Sequence, residues 1–323
     1  MILSITWCVA MAGMLLSACG HAAAQSYPTK PMRMIVPFAP GGGTDLVARS
    51  IAAKMTEALG QSVVVDNRPG ANANIGNEIA ARSAPDGYTL IMTSSAVTIN
   101  PNVYKKVPYD PVKDFAPVSL ATNVPYMLVV HPSLAAPNFQ EFVKLARTRK
   151  GEFSYGSAGT GNATHLGMEL LKIVAKIDIA HVPYKGTGQA LTDLLGGHVQ
   201  MLMGTIPPSL PHVKSGRLRA LAVGSLQRAK AVPDVPTVAE LGYPGYEAGS
   251  WFGVLAPAGT PQAIVARLNK EVNAALNQPE LNERLNAEGA EPAGNTPAQF
   301  AAFIKDELIK WGKVAKAAGI KDL

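Results

Sequence analysis

The sequence predicts an α/β protein of two lobes joined by a two-strand hinge, with a ligand cleft between them. Three observations carry that expectation. Short β-branched runs alternate with segments of helical periodicity, the pattern of parallel βαβ units. The alternation breaks around Pro117 to Val130, and a second series then starts. From Ala263 to Ile320 the pattern is almost wholly helical, so no new sheet can be built there and this tail must cover an existing one, the first. The chain would then cross between lobes twice, near Ala121 to Pro125 and near Tyr246 to Gly253. That divides it into a leader at 1–25, a first lobe at 26–123 plus 250–323, and a second lobe at 124–249. Two lobes on a double crossing can close on a ligand.

The elements follow in order. Met34-Ile35-Val36 reads as a strand, and Val47, Ile51, Met55 and Leu59 then recur at spacing four on one helix face that Gly60 stops. Val63 to Val65 is a second strand, NRPG a turn, Ile75 and Ile79 mark a helix, and PDG leads into a strand from Tyr88 to Thr93. The second series has strand Met127 to Val130, helix Phe139 to Arg149, strand Phe153 to Tyr155 and helix Leu166 to Ala175. Strands near Ile179 to Val182, Val199 to Met203 and Arg219 to Val223 continue it. In the tail, Ile264, Leu268 and Val272 keep helical spacing, as do Phe303, Leu308 and Trp311 later.

Composition limits the function. The 323 residues are 47% hydrophobic and 16% charged, enough for a full core. A net charge of +6 comes without any basic run, and aromatics are only 6%, which argues against a nucleic-acid binder and for a diffusely basic surface that attracts anions. Residues 1–25 carry no Asp, Glu, Lys or Arg and read as an export signal, although a basic start is missing. Cleavage after Ala22-Ala23-Ala24 competes with Leu16-Ser17-Ala18-Cys19, which resembles a lipobox that would lipidate Cys19. Cys8 and Cys19 both lie in the leader, so the mature body has no thiol for disulfides or metal ligation.

Two loops draw the chemistry. PFAPGGGTDLVAR leaves the first strand, places Gly41-Gly42-Gly43 at a tight turn and enters a helix capped by Thr44 or Asp45. YGSAGTGNATHLG repeats the design in the other half. Free N–H groups at a helix start form an anion site, and in open parallel sheets ligands sit at the carboxyl ends of strands. The two loops would therefore face each other as jaws that clamp an anion with amides and hydroxyls. A plain capped turn is the bland alternative for each. Ser94 and Ser95 follow a strand at the same end of the first lobe, and Thr205 faces the cleft on topology. His165 could donate a hydrogen bond to a carboxylate or simply pack, whereas Asp45 would repel an anion and suits capping better. Asn74 is a candidate for discriminating among ligands.

The runs PMRMIVPFAPGGGTDLVAR, VVVDNRPGANANIG, PDGYTL, NVYKKVPYDPVKDFAPVSL, YGSAGTGNATHLGMELL, HVPYKGTGQALTDLLGGHVQM and LPHVKSGRLRALAV together resemble the Bug family, the periplasmic solute receptors of tripartite tricarboxylate transporters. The resemblance runs from about Tyr27 to the C-terminus. It implies a type II periplasmic-binding-protein fold and carboxylate binding by the two loops, often through bridging waters; separately, a monomer without cofactor is expected. It also implies delivery to the membrane permease subunits of a tripartite transporter. By position it carries ligand contacts to Phe38, Gly42, Gly43, Thr44 and Asp45, and to Ser157, Ala158, Gly159, Thr160 and His165. One departure is that Asn72 and Asn74 stand where the family is often glycine-rich, which makes that edge bulkier or more polar. The ligand stays open among di- and tricarboxylates, acidic amino acids and aromatic acids. So does a sensor feeding a signalling partner. An exported dinucleotide enzyme fits poorly: a G-x-G-x-x-G from Gly41 would need glycine at Leu46, one from Gly159 meets Thr164, and neither G-x-S-x-G nor H-x-x-x-H occurs.

Overall fold

The computed structural model describes residues 27–323; the leader and both cysteines lie outside the described residues. In chain order the first lobe starts with β1 (Met32–Val36), α1 (Gly43–Leu59), β2 (Val63–Asn67), α2 (Asn74–Ala81), β3 (Thr89–Ser94) and α3 (Ala96–Val103). The long β4 (Phe115–Val130) follows. The second lobe adds α4 (Phe139–Thr148), β5 (Ser154–Ser157), α5 (Ala163–Ala175), β6 (Ala180–Pro183), α6 (Thr187–Leu195), β7 (Met201–Thr205), α7 (Ile206–Lys214) and β8 (Arg219–Val223). The chain returns through β9 (Gly249–Pro257) and ends with α8 (Gln262–Leu276), α9 (Pro279–Ala287), β10 (Glu291–Pro292) and α10 (Pro297–Ala317).

The strands run in the order β2-β1-β3-β9-β4-β7-β5-β6, with β8 and β10 also on β4. β1 pairs in parallel with β2 and β3, and β5 in parallel with β6 and β7, so each lobe keeps the βαβ logic read from the sequence. The link between lobes is antiparallel. From Phe115 to Pro125 the strand β4 pairs with β9, and from Tyr126 onward the same strand pairs with β7 and β8. The expected short strand at Met127 to Val130 is thus the last quarter of a sixteen-residue element. Pro117 and Pro125 hid the rest, since proline interrupts a strand ladder. Pro117 sits at a register shift, and Pro125 lies opposite Gly249, where β9 begins and β4 changes partners. The backbones crowd at this crossing: a Cβ on Gly224 would stand 2.2 Å from the Ala248 carbonyl oxygen.

The tail departs from expectation twice. Glu291 and Pro292 extend the first sheet as β10 against Asn123 and Thr122. Helix α10 also does not cover the first sheet alone. Its Phe300 and Ile304 belong to a first-lobe core with Trp251 and Leu255, while Trp311, Val314 and Ala315 enter the second-lobe core with Leu166 and Tyr155. Glu307 lies between them, 5% exposed. Its Oε2 accepts from Trp251 Nε1 at 3.0 Å and from Trp311 Nε1 at 2.8 Å, and Lys310 Nζ stands 2.6 Å from Oε1. One carboxylate thereby ties the hinge strand β9 to the helix that spans both lobes. Glu307→Leu leaves two indole N–H groups and an ammonium without their shared acceptor, and is expected to lower unfolding stability by about 3–5 kcal/mol, as is usual when one partner of a buried ion pair is removed. Urea denaturation measures this.

Candidate functional site

The carboxyl ends of the strands meet at the crossing, and helices start there. Thr44 lies in the first turn of α1, Ala96 opens α3 after Ser95, Ala163 opens α5 after Asn162, Thr187 opens α6, and Thr205 precedes α7. All of these residues line one cavity of about 200 Å³, together with Phe38, Asn72, Ser94, Ile99, Tyr126, Ala158, Thr164, Ser250 and Phe252. Five helix N-termini therefore converge on one space. Among the described residues, no Asp, Glu, Lys, Arg or His lines it. Its polar character comes from hydroxyls, two asparagines and the first-turn amides of α1, α3, α5 and α6, whereas α7, which opens Ile206-Pro207-Pro208, adds its dipole but few N–H groups; together the dipoles make the space electropositive. Burial pushes the Tyr126 phenol up, so it stays a neutral hydroxyl. Ser95 Oγ and Ser250 Oγ lie 2.9 Å apart, joining the start of α3 to β9.

A second cavity of about 240 Å³ borders the hinge strands and is lined by Glu247, Glu291, Glu307 and Lys310 among others. Lys310 is already engaged by Glu247 and Glu307. Three carboxylates against one occupied ammonium suit an anion poorly, and the first cavity, where the strand ends and helix starts meet, is the candidate site.

Of the residues expected from sequence, Phe38, Thr44, Ser94, Ser95, Ala158 and Thr205 border the cavity. Gly42, which precedes α1, and Gly43, which opens it, are exposed, and Thr160 is exposed on the second loop. Asn74 Oδ1 is turned away into a buried network, accepting from Asn100 at 2.7 Å and Tyr109 at 3.1 Å. Ser157 and Gly159 hold the second loop: Ser157 Oγ lies 2.6 Å from His181 Nε2 and accepts from Gly159 N–H at 3.1 Å.

Asp45 and His165 support the two loops in the same way. Asp45 Oδ2 accepts the Gly41 N–H at 2.9 Å, and His165 Nδ1 accepts the Gly161 N–H at 3.0 Å. In each case the third helical residue reaches back four positions to a glycine with left-handed φ, 83° at Gly41 and 73° at Gly161. The jaws are thus one motif used twice, G-x-x-T-x-L at Gly41 to Leu46 and Gly161 to Leu166. Burial alone would raise the Asp45 carboxyl, but hydrogen bonds from Arg49, Gly41 and Asn67 hold it below its ordinary value. Its oxygens are spent on the loop. His165 is packed 3.8 Å from His181, ring on ring, and burial, then the neighbouring His181 and Lys172, push it down to about 3. It is a neutral acceptor.

Sequence reasoning missed Asn162, Thr164, Thr187, Ser250, Tyr126 and Phe252. The aligned G-x-x-T-x-L pair carried the signal for Asn162 and Thr164, being the positions that match Gly42 and Thr44. Ser250 and Tyr126 reach the cavity through the pairing of β4 with β9 and β7, which no local pattern encodes.

A two-lobed body with an uncharged, electropositive cleft at the strand ends defines a solute-binding receptor. Comparison with known proteins agrees: residues 47–320 match the description "Tripartite tricarboxylate transporter family receptor". Protein BugT of Bordetella pertussis is 40% identical over 324 residues, covering 99% of each chain. Among solved structures, a protein of R. palustris determined with adipate is 41% identical, with a TM-score of 0.83 over 92% of this chain and 100% of the other. MatC of Rhodopseudomonas palustris, with bound malate, is 35% identical, with a TM-score of 0.76 over 89% and 99%. The chain belongs to the tripartite tricarboxylate transporter receptor family, whose members are periplasmic solute-binding receptors and not enzymes.

The neutral His165 makes stability pH-dependent. The unfolded histidine binds a proton near 6.5 and the folded one only near 3, so between these values the unfolded state holds more protons and stability falls as pH falls. The thermal midpoint is expected to drop from pH 7 to pH 5. His165→Asn, whose Oδ1 copies the Asp45 acceptor, should reduce that slope, the rest being carried by His181, which burial also pushes down; differential scanning calorimetry across the range checks it.

Proposed function

We propose that this chain binds a small carboxylate between its lobes, holds it on helix N-termini, and delivers it to the permease subunits of a tripartite transporter. The observation that carries this reading is the convergence of five helix starts on a cavity without a charged side chain. Such amides and hydroxyls hold a carboxylate without a cationic side chain. The relatives solved with adipate and malate support the class, both being dicarboxylates. The periplasmic setting of the family supports export by the leader, and among the described residues no helix is long and apolar enough to cross a membrane.

The magnitudes suffice. Each hydrogen bond to a charged group contributes about 1.5–3 kcal/mol net. Four or five total about 6–15 kcal/mol, and toward the upper end of that range they cover an ordering cost of about 4 kcal/mol and leave about 8 kcal/mol, or micromolar binding. The burial of Ser94 and the place of Thr205 at the start of α7 make their hydroxyls useful for orienting the ligand.

Calorimetric titration with aliphatic dicarboxylates, citrate, glutamate and benzoate, with a neutral sugar as control, tests the reading. Micromolar binding of at least one acid and none of the sugar is expected. Ser94→Ala and Thr205→Val should each weaken that acid about tenfold, or about 1.4 kcal/mol. An absence of binding by every acid would remove the carboxylate reading.

A further inference from the structure

Asn72 and Asn162 face each other across the cleft, and the backbone dictates which way each amide points. On the first-lobe side, Ala71, Asn72 and Ala73 have φ of 46°, 50° and 74°, a left-handed run that asparagine tolerates better than most residues. Fully buried Asn100 holds this run: its Nδ2 donates to the Asn72 carbonyl at 2.7 Å. A carbonyl can only accept, so Asn100 must present Oδ1 to the Asn72 side chain, which donates its Nδ2 at 2.9 Å. Asn72 Oδ1 is left pointing away from the network. On the second-lobe side, Asn162 caps α5, and its Oδ1 accepts the Thr164 N–H at 3.1 Å. An N–H can only donate, so Asn162 Nδ2 is the free end.

The free donor meets the free acceptor. Asn162 Nδ2 lies 3.5 Å from Asn72 Oδ1, at the long end of hydrogen-bond range, and both residues line the ligand cavity. We infer that Asn72 and Asn162 form a latch between the lobes that retains the ligand and discriminates by length. The inference rests on the carboxylate-receptor reading. An acid compact enough to let the jaws meet gains the latch, and a longer one that props them apart forfeits it. The pair therefore acts on escape more than on entry.

The test uses stopped-flow dissociation of the linear dicarboxylates from succinate to pimelate. Asn162→Ser keeps a capping hydroxyl and leaves the first-lobe network untouched, while Asn72→Gly keeps a residue suited to φ of 50°. For the acid that wild type binds best, each variant should raise the dissociation rate about tenfold with little change in association rate, and the double variant should be no faster than either. The longest acid bound should leave at the same rate from all four proteins. Unchanged rates, or effects that multiply in the double variant, overturn the latch while leaving the carboxylate reading in place. Should Asn72→Gly fail to fold, an unchanged rate in Asn162→Ser overturns it alone. A wild type that binds no acid removes the carboxylate reading and the latch with it.

Discussion

The structure depends on the unpaired amides at the starts of helices. A helix leaves its first N–H groups without partners, and a fold that points several such starts at one place creates a positive site from backbone alone. Here β4 makes that convergence possible, because it runs through both sheets, pairing with β9 in the first and with β7 and β8 in the second, and brings the carboxyl ends of the strands of each lobe to a shared boundary. Tyr126 and Thr205 sit opposite each other at the point where β4 changes partners, and both border the cavity. The hinge and the site are the same piece of backbone.

Amides act as a clamp only when their loops are held still, and the two jaws are held by different means. In the first, a charged Asp45 gathers Gly41, Arg49 and Asn67 around itself, and its charge is spent before it can repel a ligand. In the second, the same position is a neutral, buried histidine, stacked on His181. Ser157, Tyr155, Glu169 and Lys172 complete a polar cluster below that loop. The design thus keeps formal charge in the supports and out of the cavity lining. A pocket whose lining is uncharged can take anions of varied shape, with discrimination left to size and to side chains at its rim.

Much of this was legible in the sequence, for identifiable reasons. The strands and helices of each lobe announce themselves through spacing, as with Val47, Ile51 and Met55, all buried on one face of α1. The glycine loops were legible because tight turns and helix starts need particular residues. Other features were hidden. The two prolines of β4 look like breaks until the register shift and the hinge account for them, and α3, with its internal Pro101, and α7, with Pro211 inside it, violate helix propensity where tertiary packing overrides it. Asp45 and His165 were legible as loop residues, but their role as acceptors for Gly41 and Gly161 depends on a three-dimensional turn. The Asn72 and Asn162 contact joins residues ninety positions apart, beyond any local pattern.

The central claim is that backbone at helix starts, and no cationic side chain, holds the ligand. A crystal structure of the mature protein with its best-bound carboxylate tests this most directly. The account predicts carboxylate oxygens about 2.7–3.2 Å from first-turn N–H groups of α1, α3 or α5, directly or through one water, with no Lys or Arg nitrogen in contact. A carboxylate paired with a lysine or arginine, or seated in the cavity beside Lys310, would contradict it.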